Sequence, residues 1–275
     1  MATLLGIDLG SHSVKLALME GRLGRVELSE FRQRRVRSDD GGRPSLDDRT
    51  RALSLLLAET AEAGVQVVGM PTEKVSVRSV EMPFSVPSQV DRTLAFELEG
   101  HVPFNLDDFV LDYRISRGGR GARLAAEGKS LVLCGLSQES DVRAWLEAIE
   151  SAGADPRQAV LDAEMLGHLA DEDKVQLVLD LGHERSLLAF CSRGEILDVA
   201  AIERGGAALT QALMEAFSWS EQDAEEQKHG ATVNPLDLRE SAVDEDDLSQ
   251  TSSTPTAIAK VLSRALEPLV AQIRT

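Results

Sequence analysis

The triplet Asp-Leu-Gly occurs twice in matching surroundings, and this repeat restricts the fold more than any other feature of the chain. Asp8-Leu9-Gly10 follows the apolar run Thr3–Ile7 and precedes the alternating run Val14–Met19. Asp180-Leu181-Gly182 follows Val175–Leu179 and precedes Ser186–Phe190. The spacing is 172 for the aspartates (180 − 8) and for the glycines (182 − 10), so the copies align without a gap. Leu16 and Leu188 share that spacing, as do Leu18 and Phe190. Each copy reads as strand, tight turn, strand. Each also gains a second turn, at Gly21–Gly24 and Ser192–Glu195, and a third strand, Val26–Phe31 and Ile196–Ile202. Helical patterns follow at Pro44–Ala63 and Ala207–Phe217. Two such meanders, each followed by helix, predict an α/β protein of two related halves.

The turn has a chemical use. Backbone N–H groups at a hairpin tip can cradle phosphate oxygens, and a carboxylate at a strand end can hold a hydrated Mg²⁺. Asp8 and Asp180 are therefore candidate Mg²⁺-side carboxylates, with ordinary turn residues as the competing reading. Lys15 is a candidate phosphate ligand or, by alternation, a residue on a solvent face. Glu225 and Lys228 are three apart on a helical pattern, which suits a plain surface ion pair equally well. His12 and His183 stand at the two tips, and neither HxH nor HExxH occurs, so zinc is not expected.

Charge and cysteine usage narrow the class. Lys+Arg 29 against Asp+Glu 46 gives a net charge of −17, which argues against a nucleic-acid partner. No apolar run approaches the roughly 20 residues of a spanning helix, and no charged leader precedes an apolar stretch. Cys134 and Cys191 lie in separate apolar runs without a CxxC pattern and are expected to be buried thiols. These features predict a cytoplasmic protein. The one basic cluster, Arg32, Arg34, Arg35 and Arg37, reads as a solvated strand end or a contact for an acidic partner.

At this level the chain resembles the actin-like ATPase fold shared by actin, Hsp70 and the sugar kinases. Gly6–Ser11 is similar to its first phosphate motif and Val178–Gly182 to its second. Lys15 stands where actin carries a phosphate-contacting lysine. Glu203-Arg204-Gly205-Gly206 resembles the turn after the second meander, and Ala224–Lys228 the A-E-x-x-K helix of bacterial actin homologues. Within the fold, Phe96-Glu97-Leu98-Glu99-Gly100-His101-Val102-Pro103-Phe104 with Leu111-Asp112-Tyr113 resembles the PilM/GspL family of type IV pilus and type II secretion proteins. Leu161-Asp162-Ala163 is similar to that family's connecting segment. The resemblance implies ATP and Mg²⁺ as ligands, held by Asp8, Gly10, Ser11, His12, Lys15, Asp180, Gly182, Gly205, Gly206, Glu225 and Lys228, with at most weak hydrolysis. It implies a scaffold at the inner membrane that meets the N-terminal tail of a PilN-type protein or a GspE-type ATPase through Phe96, Val102, Pro103, Phe104 and Tyr113. Self-association stays open. Three features depart from the pattern. The fold's final Gly-Gly motif is absent, and the second tip reads His183-Glu184-Arg185, with a carboxylate where small polar residues are usual. The loop Gly230–Pro255 is also longer and more acidic than the motif needs.

The expected organisation is a first half (1–72 with 154–174), an inserted subdomain (73–153) and a second half (175–275) that stops short of the final motif. The insertion has strand-like runs at Val75–Met82, Phe109–Ile115 and Leu131–Leu136. Its helix Asp91–Gly100 is expected to bury Leu94, Ala95 and Leu98, and its helix Asp141–Ala152 Val142, Trp145, Leu146 and Ile149. Phe96, Phe104 and Tyr113 fit a partner groove or the insertion's own core. A mobile acidic loop is expected over Gly230–Pro255, with solvated carboxylates at Asp244–Asp247. An amphipathic helix follows at Ala257–Arg274, kinked or divided at Pro268, and the chain is expected to continue past Thr275. The other function class is a sugar or small-metabolite kinase, for which Asp162 is the one aspartate available as general base.

Overall fold

The computed structural model describes residues 2–22, 25–38, 43–117, 119–171, 174–231 and 255–274. The expected acidic loop falls on residues 232–254, outside the described residues. In chain order the elements are β1 (Ala2–Leu9), β2 (Ser13–Arg22), β3 (Arg25–Arg35), α1 (Leu46–Leu57), β4 (Val65–Met70), β5 (Ser76–Met82), α2 (Pro87–Glu99), β6 (Phe109–Ile115), α3 (Gly119–Ala126), β7 (Ser130–Gln138), α4 (Glu139–Ser151) and β8 (Gln158–Leu161). After a 3-10 helix at Asp162–Leu169 come β9 (Gln176–Leu181), β10 (Ser186–Ser192), β11 (Glu195–Ile202), α5 (Gly206–Phe217), α6 (Glu221–Gly230) and α7 (Pro255–Arg274). The chain forms two compact units, residues 1–179 with 189–200, and 180–188 with 201–275.

In the first unit, a five-stranded sheet has the order β3-β2-β1-β4-β8. β1 and β2 are antiparallel, with Ile7 opposite Leu16 and Asp8 opposite Lys15. Alternation sends Leu5, Ile7 and Leu9, with Val14, Leu16 and Leu18, to one face. There they meet Leu53 and Leu56 of α1 and Trp145 and Ile149 of α4. Each such side chain contributes roughly 1.5–3 kcal/mol on burial. A capping box between Ser45 and Asp48 starts α1, and the Trp145 indole donates to the Gly69 carbonyl at 3.1 Å.

A second sheet, order β5-β7-β6, carries the unbroken apolar run of Leu131–Leu136 at its centre. The run is apolar because both its faces are covered. Val132, Cys134 and Leu136 pack under α2, while Leu133 meets Ala189, Cys191 and Ile196. The inward face of α2 is Val90, Leu94 and Leu98, four residues apart. Ala95 is exposed, contrary to the expectation, because it lies off that stripe.

In the second unit, α5, α6 and α7 pack around Leu209, Leu213, Ala224, Ile258 and Leu262, with Phe217 and Trp219 stacked at 4.5 Å. α7 runs undivided through Pro268. The Arg204 guanidinium donates to the Ala265 carbonyl at 3.4 Å, one turn before the proline.

The second meander forms a sheet of order β11-β10-β9, repeating β3-β2-β1. Burial does not repeat. Leu5, Ile7 and Leu9 are 2–4% exposed, whereas their counterparts 172 residues on, Leu177, Leu179 and Leu181, are 44–50% exposed. Whereas β1 pairs with β4 on its second edge, β9 ends its sheet among the described residues.

Candidate functional site

Asp8 and Lys15 face each other near the end of the first hairpin, on the side away from the leucines. The Lys15 ammonium lies 2.9 Å from the Asp8 carboxylate, with both side chains about half exposed (41% and 57%). Such a pair contributes ~0–1 kcal/mol and exchanges partners easily. At the tip, a Cβ on Gly10 would stand 2.7 Å from the Ser13 carbonyl oxygen, so the turn requires glycine. Ser11 and His12 are half-buried beside it, and the His12 carbonyl accepts from the Val36 amide at 2.8 Å.

The second hairpin repeats this turn. A Cβ on Gly182 would stand 2.6 Å from the Arg185 carbonyl oxygen, again three residues on. Asp180 is exposed and has no ion-pair or hydrogen-bond partner among the described residues. Lys15 is not repeated, since Leu187 occupies its place. The Gly206 amide donates to the Gly182 carbonyl (2.8 Å) and the Ala207 amide to the His183 carbonyl (2.7 Å). The first turn of α5 thus latches onto the hairpin, and a Cβ on Gly205 would come within 2.5 Å of both carbonyl oxygens. These two amides are consumed within the fold.

Glu225 and Lys228 of α6 meet α5 at the same place. The Lys228 ammonium donates to Glu225 (2.6 Å), to the Thr210 hydroxyl (2.8 Å) and to the Gly206 carbonyl (3.3 Å). Thr210 also hydrogen-bonds Glu225. With side chains only 13% and 14% exposed, this is a nearly enclosed clamp between helices. The structure therefore groups Gly182, Gly205, Gly206, Glu225 and Lys228 in one unit, and Asp8, Gly10, Ser11, His12 and Lys15 in the other. Among the described residues no three His, Cys, Asp or Glu side chains converge. The residues fit an ion that takes one or two carboxylates and keeps phosphate and water ligands, as Mg²⁺ does.

The second candidate surface lies beside the small sheet. Phe104 and Phe109 stack with centroids 4.2 Å apart, bordering an open groove of about 730 Å³. Asn105 and Asp108 line it from the segment after α2, and Gln138, Glu139, Ser140 and Arg143 from the start of α4. Val102, Phe104 and Tyr113 also pack partly against the core under α2. Phe96 is 76% exposed, and Pro103 is exposed as well. The Tyr113 hydroxyl donates to Asp91, and this bond, with burial and neighbouring charge, pushes its pKa up to about 12. Phe109 and the α4 residues were not among the sequence candidates. β6, α3 and β7 lie between Phe104 and the α4 residues, and no local pattern links those two segments.

Asp162 accepts from the Thr72 amide at 3.1 Å and from its hydroxyl, joining the end of β8 to the turn after β4. The basic cluster is engaged too, with Arg34 2.6 Å from Glu59 and Arg32 beside Glu30.

Paired three-stranded meanders, each carrying the same glycine turn and followed by helix, define a protein of the actin-like ATPase fold. Among solved structures, MreB5 of Spiroplasma citri bound to AMPPNP shares that fold at a TM-score of 0.53 and 11% identity, covering 100% of this chain and 78% of that one. The family described as "Type IV pilus assembly protein PilM" matches residues 6–240, and the chain belongs to it. A PilM-PilN type IV pilus biogenesis complex is similar over 98% of this chain and 75% of that chain, with a TM-score of 0.67 and 20% identity. The cytoplasmic domain of EpsL, an inner-membrane component of the type II secretion system of Vibrio cholerae, is similar at a TM-score of 0.47 and 16% identity over 79% of this chain and 76% of that one. No described helix is long and apolar enough to cross a membrane.

Proposed function

We propose that this chain is a nucleotide-binding, actin-like scaffold that holds the cytoplasmic tail of a PilN-type inner-membrane protein and is positioned at the membrane through it. The groove beside the Phe104–Phe109 stack carries the reading. It offers an aromatic wall and hydrogen-bonding groups to an extended segment, and a related solved structure is a complex with PilN. The inserted subdomain over residues 73–153 supplies the aromatic wall. The proposed ligand is ATP with Mg²⁺. Asp8 and Asp180 are proposed for the metal side, Lys15 for phosphate, Gly10, Ser11, His12, Gly182, Gly205 and Gly206 for close backbone approach, and Glu225 with Lys228 for the nucleoside. A GspE-type partner would belong to the type II secretion version of this role. The kinase alternative is weakened, because Asp162, its one base, is engaged by Thr72.

The test uses point substitutions, since removing residues 73–153 would strip Trp145 and Ile149 from the core of the five-stranded sheet. Phe104→Ala with Phe109→Ala should weaken calorimetric binding of a PilN-type tail peptide by about tenfold or more, the scale of a lost aromatic anchor. Unchanged affinity in the folded double variant would move the tail site elsewhere.

A further inference from the structure

The groove has an acidic side as well as an aromatic one. Asp108 lines it, is exposed, and has no ion-pair or hydrogen-bond partner among the described residues. Glu139, the other lining carboxylate, lies 2.5 Å from Arg143. Both side chains of that pair are mostly exposed (59% and 65%), so Arg143 neutralises Glu139 only through a weak contact. The lining thus keeps a net negative charge, on a chain whose own charge is −17.

Membrane proteins concentrate Lys and Arg in the short cytoplasmic segments that flank their spanning helices. We infer that the groove selects a basic tail, in which an apolar or aromatic residue lies against Phe104 and Phe109 while a Lys or Arg pairs with Asp108. The inference rests on the docking reading above and adds a charge requirement to it. Asp108 is a specificity-determining residue for the partner, and complementary charge acts on encounter and discrimination more than on raw affinity. The same logic addresses the lipid. A chain of charge −17 is repelled by an anionic leaflet, so the basic tail provides the attraction that the bilayer surface does not.

Two fluorescein-labelled dodecapeptides test this on the full 275-residue chain. Both carry the same apolar and aromatic anchors, and one has two arginines where the other has two glutamines. The arginine peptide should bind about tenfold more tightly at 50 mM salt, with the margin shrinking to about twofold at 500 mM as the charges are screened. Asp108→Asn should close most of that gap. Asp108→Lys should favour a third peptide with two glutamates. Equal binding of the first two peptides to the parent chain, both weakened by Phe104→Ala, would overturn the charge requirement and leave the docking reading standing. If neither peptide binds, the docking reading falls and this inference with it.

Discussion

Lys15 faces Asp8 across the first hairpin, while Leu187 stands at the corresponding place beside Asp180. The two aspartates are therefore not equivalent. Asp8 already balances a cation, and Asp180, with no side-chain partner among the described residues, presents a charge that favours an incoming metal or ammonium group. Asp8→Ala should lower Mg²⁺-ATP affinity by about tenfold or more, on the scale of a charged contact of ~1.5–3 kcal/mol. Stability should change by less than about 1 kcal/mol, because the ion pair it breaks is exposed. Calorimetry with a parallel urea melt separates the two effects. Equal ATP affinity in both proteins would remove Asp8 from the metal site. Glu184, at the second tip, adds a carboxylate where phosphate would approach, and Glu184→Ser provides the comparison.

At the level of elements, the latch between hairpin and α5 and the clamp between α5 and α6 meet at Gly206. Lys228→Ala would leave Glu225 largely enclosed beside Thr210 with only the exposed His229 imidazole nearby, costing roughly 3 kcal/mol by urea denaturation. A cost below about 0.5 kcal/mol would return the pair to the status of a surface contact. Both meanders were legible in the sequence because strand alternation and the D-x-G turn are local signals, repeated at one spacing. The buried face of α2 was read with one error, at Ala95, since a three- and four-residue stripe admits a neighbour that only packing removes. The helix of Ala257–Arg274 was expected to be kinked or divided at Pro268, and it continues through the proline as one element. The burial of Glu225 and Lys228 and the lining of the groove are long-range facts, which no spacing within one segment encodes.

For the whole molecule, the two cysteines report on cohesion. Cys134 lies under α2 and Cys191 in the cluster on the other side of β7, and both are free and buried. Burial pushes the Cys134 thiol up to about 12, and burial, then the charge of Glu164, raises Cys191. A thiol raised in the folded state keeps its proton where the unfolded chain has lost it. The associated stability is fully present below the unfolded thiol's pKa near 9 and is lost as pH climbs toward 12. Unfolding free energy measured from pH 8 to 11 should therefore fall above pH 9, more steeply in the parent than in a Cys134→Ala, Cys191→Ala variant. Identical pH slopes would mean that the thiols do not contribute. Labelling by a thiol reagent at pH 8 should track global unfolding.

The bare leucines of β9 extend this to behaviour in solution. Leu177, Leu179 and Leu181 form a greasy row along a sheet margin whose backbone groups have no neighbouring strand among the described residues. Such a margin is a template for any extended chain that encounters it. The 275-residue polypeptide thus carries its own colloidal hazard: crowding or overexpression favours stacking into insoluble matter. Whatever strand or surface covers that row acts as a solubiliser, a role independent of nucleotide and tail.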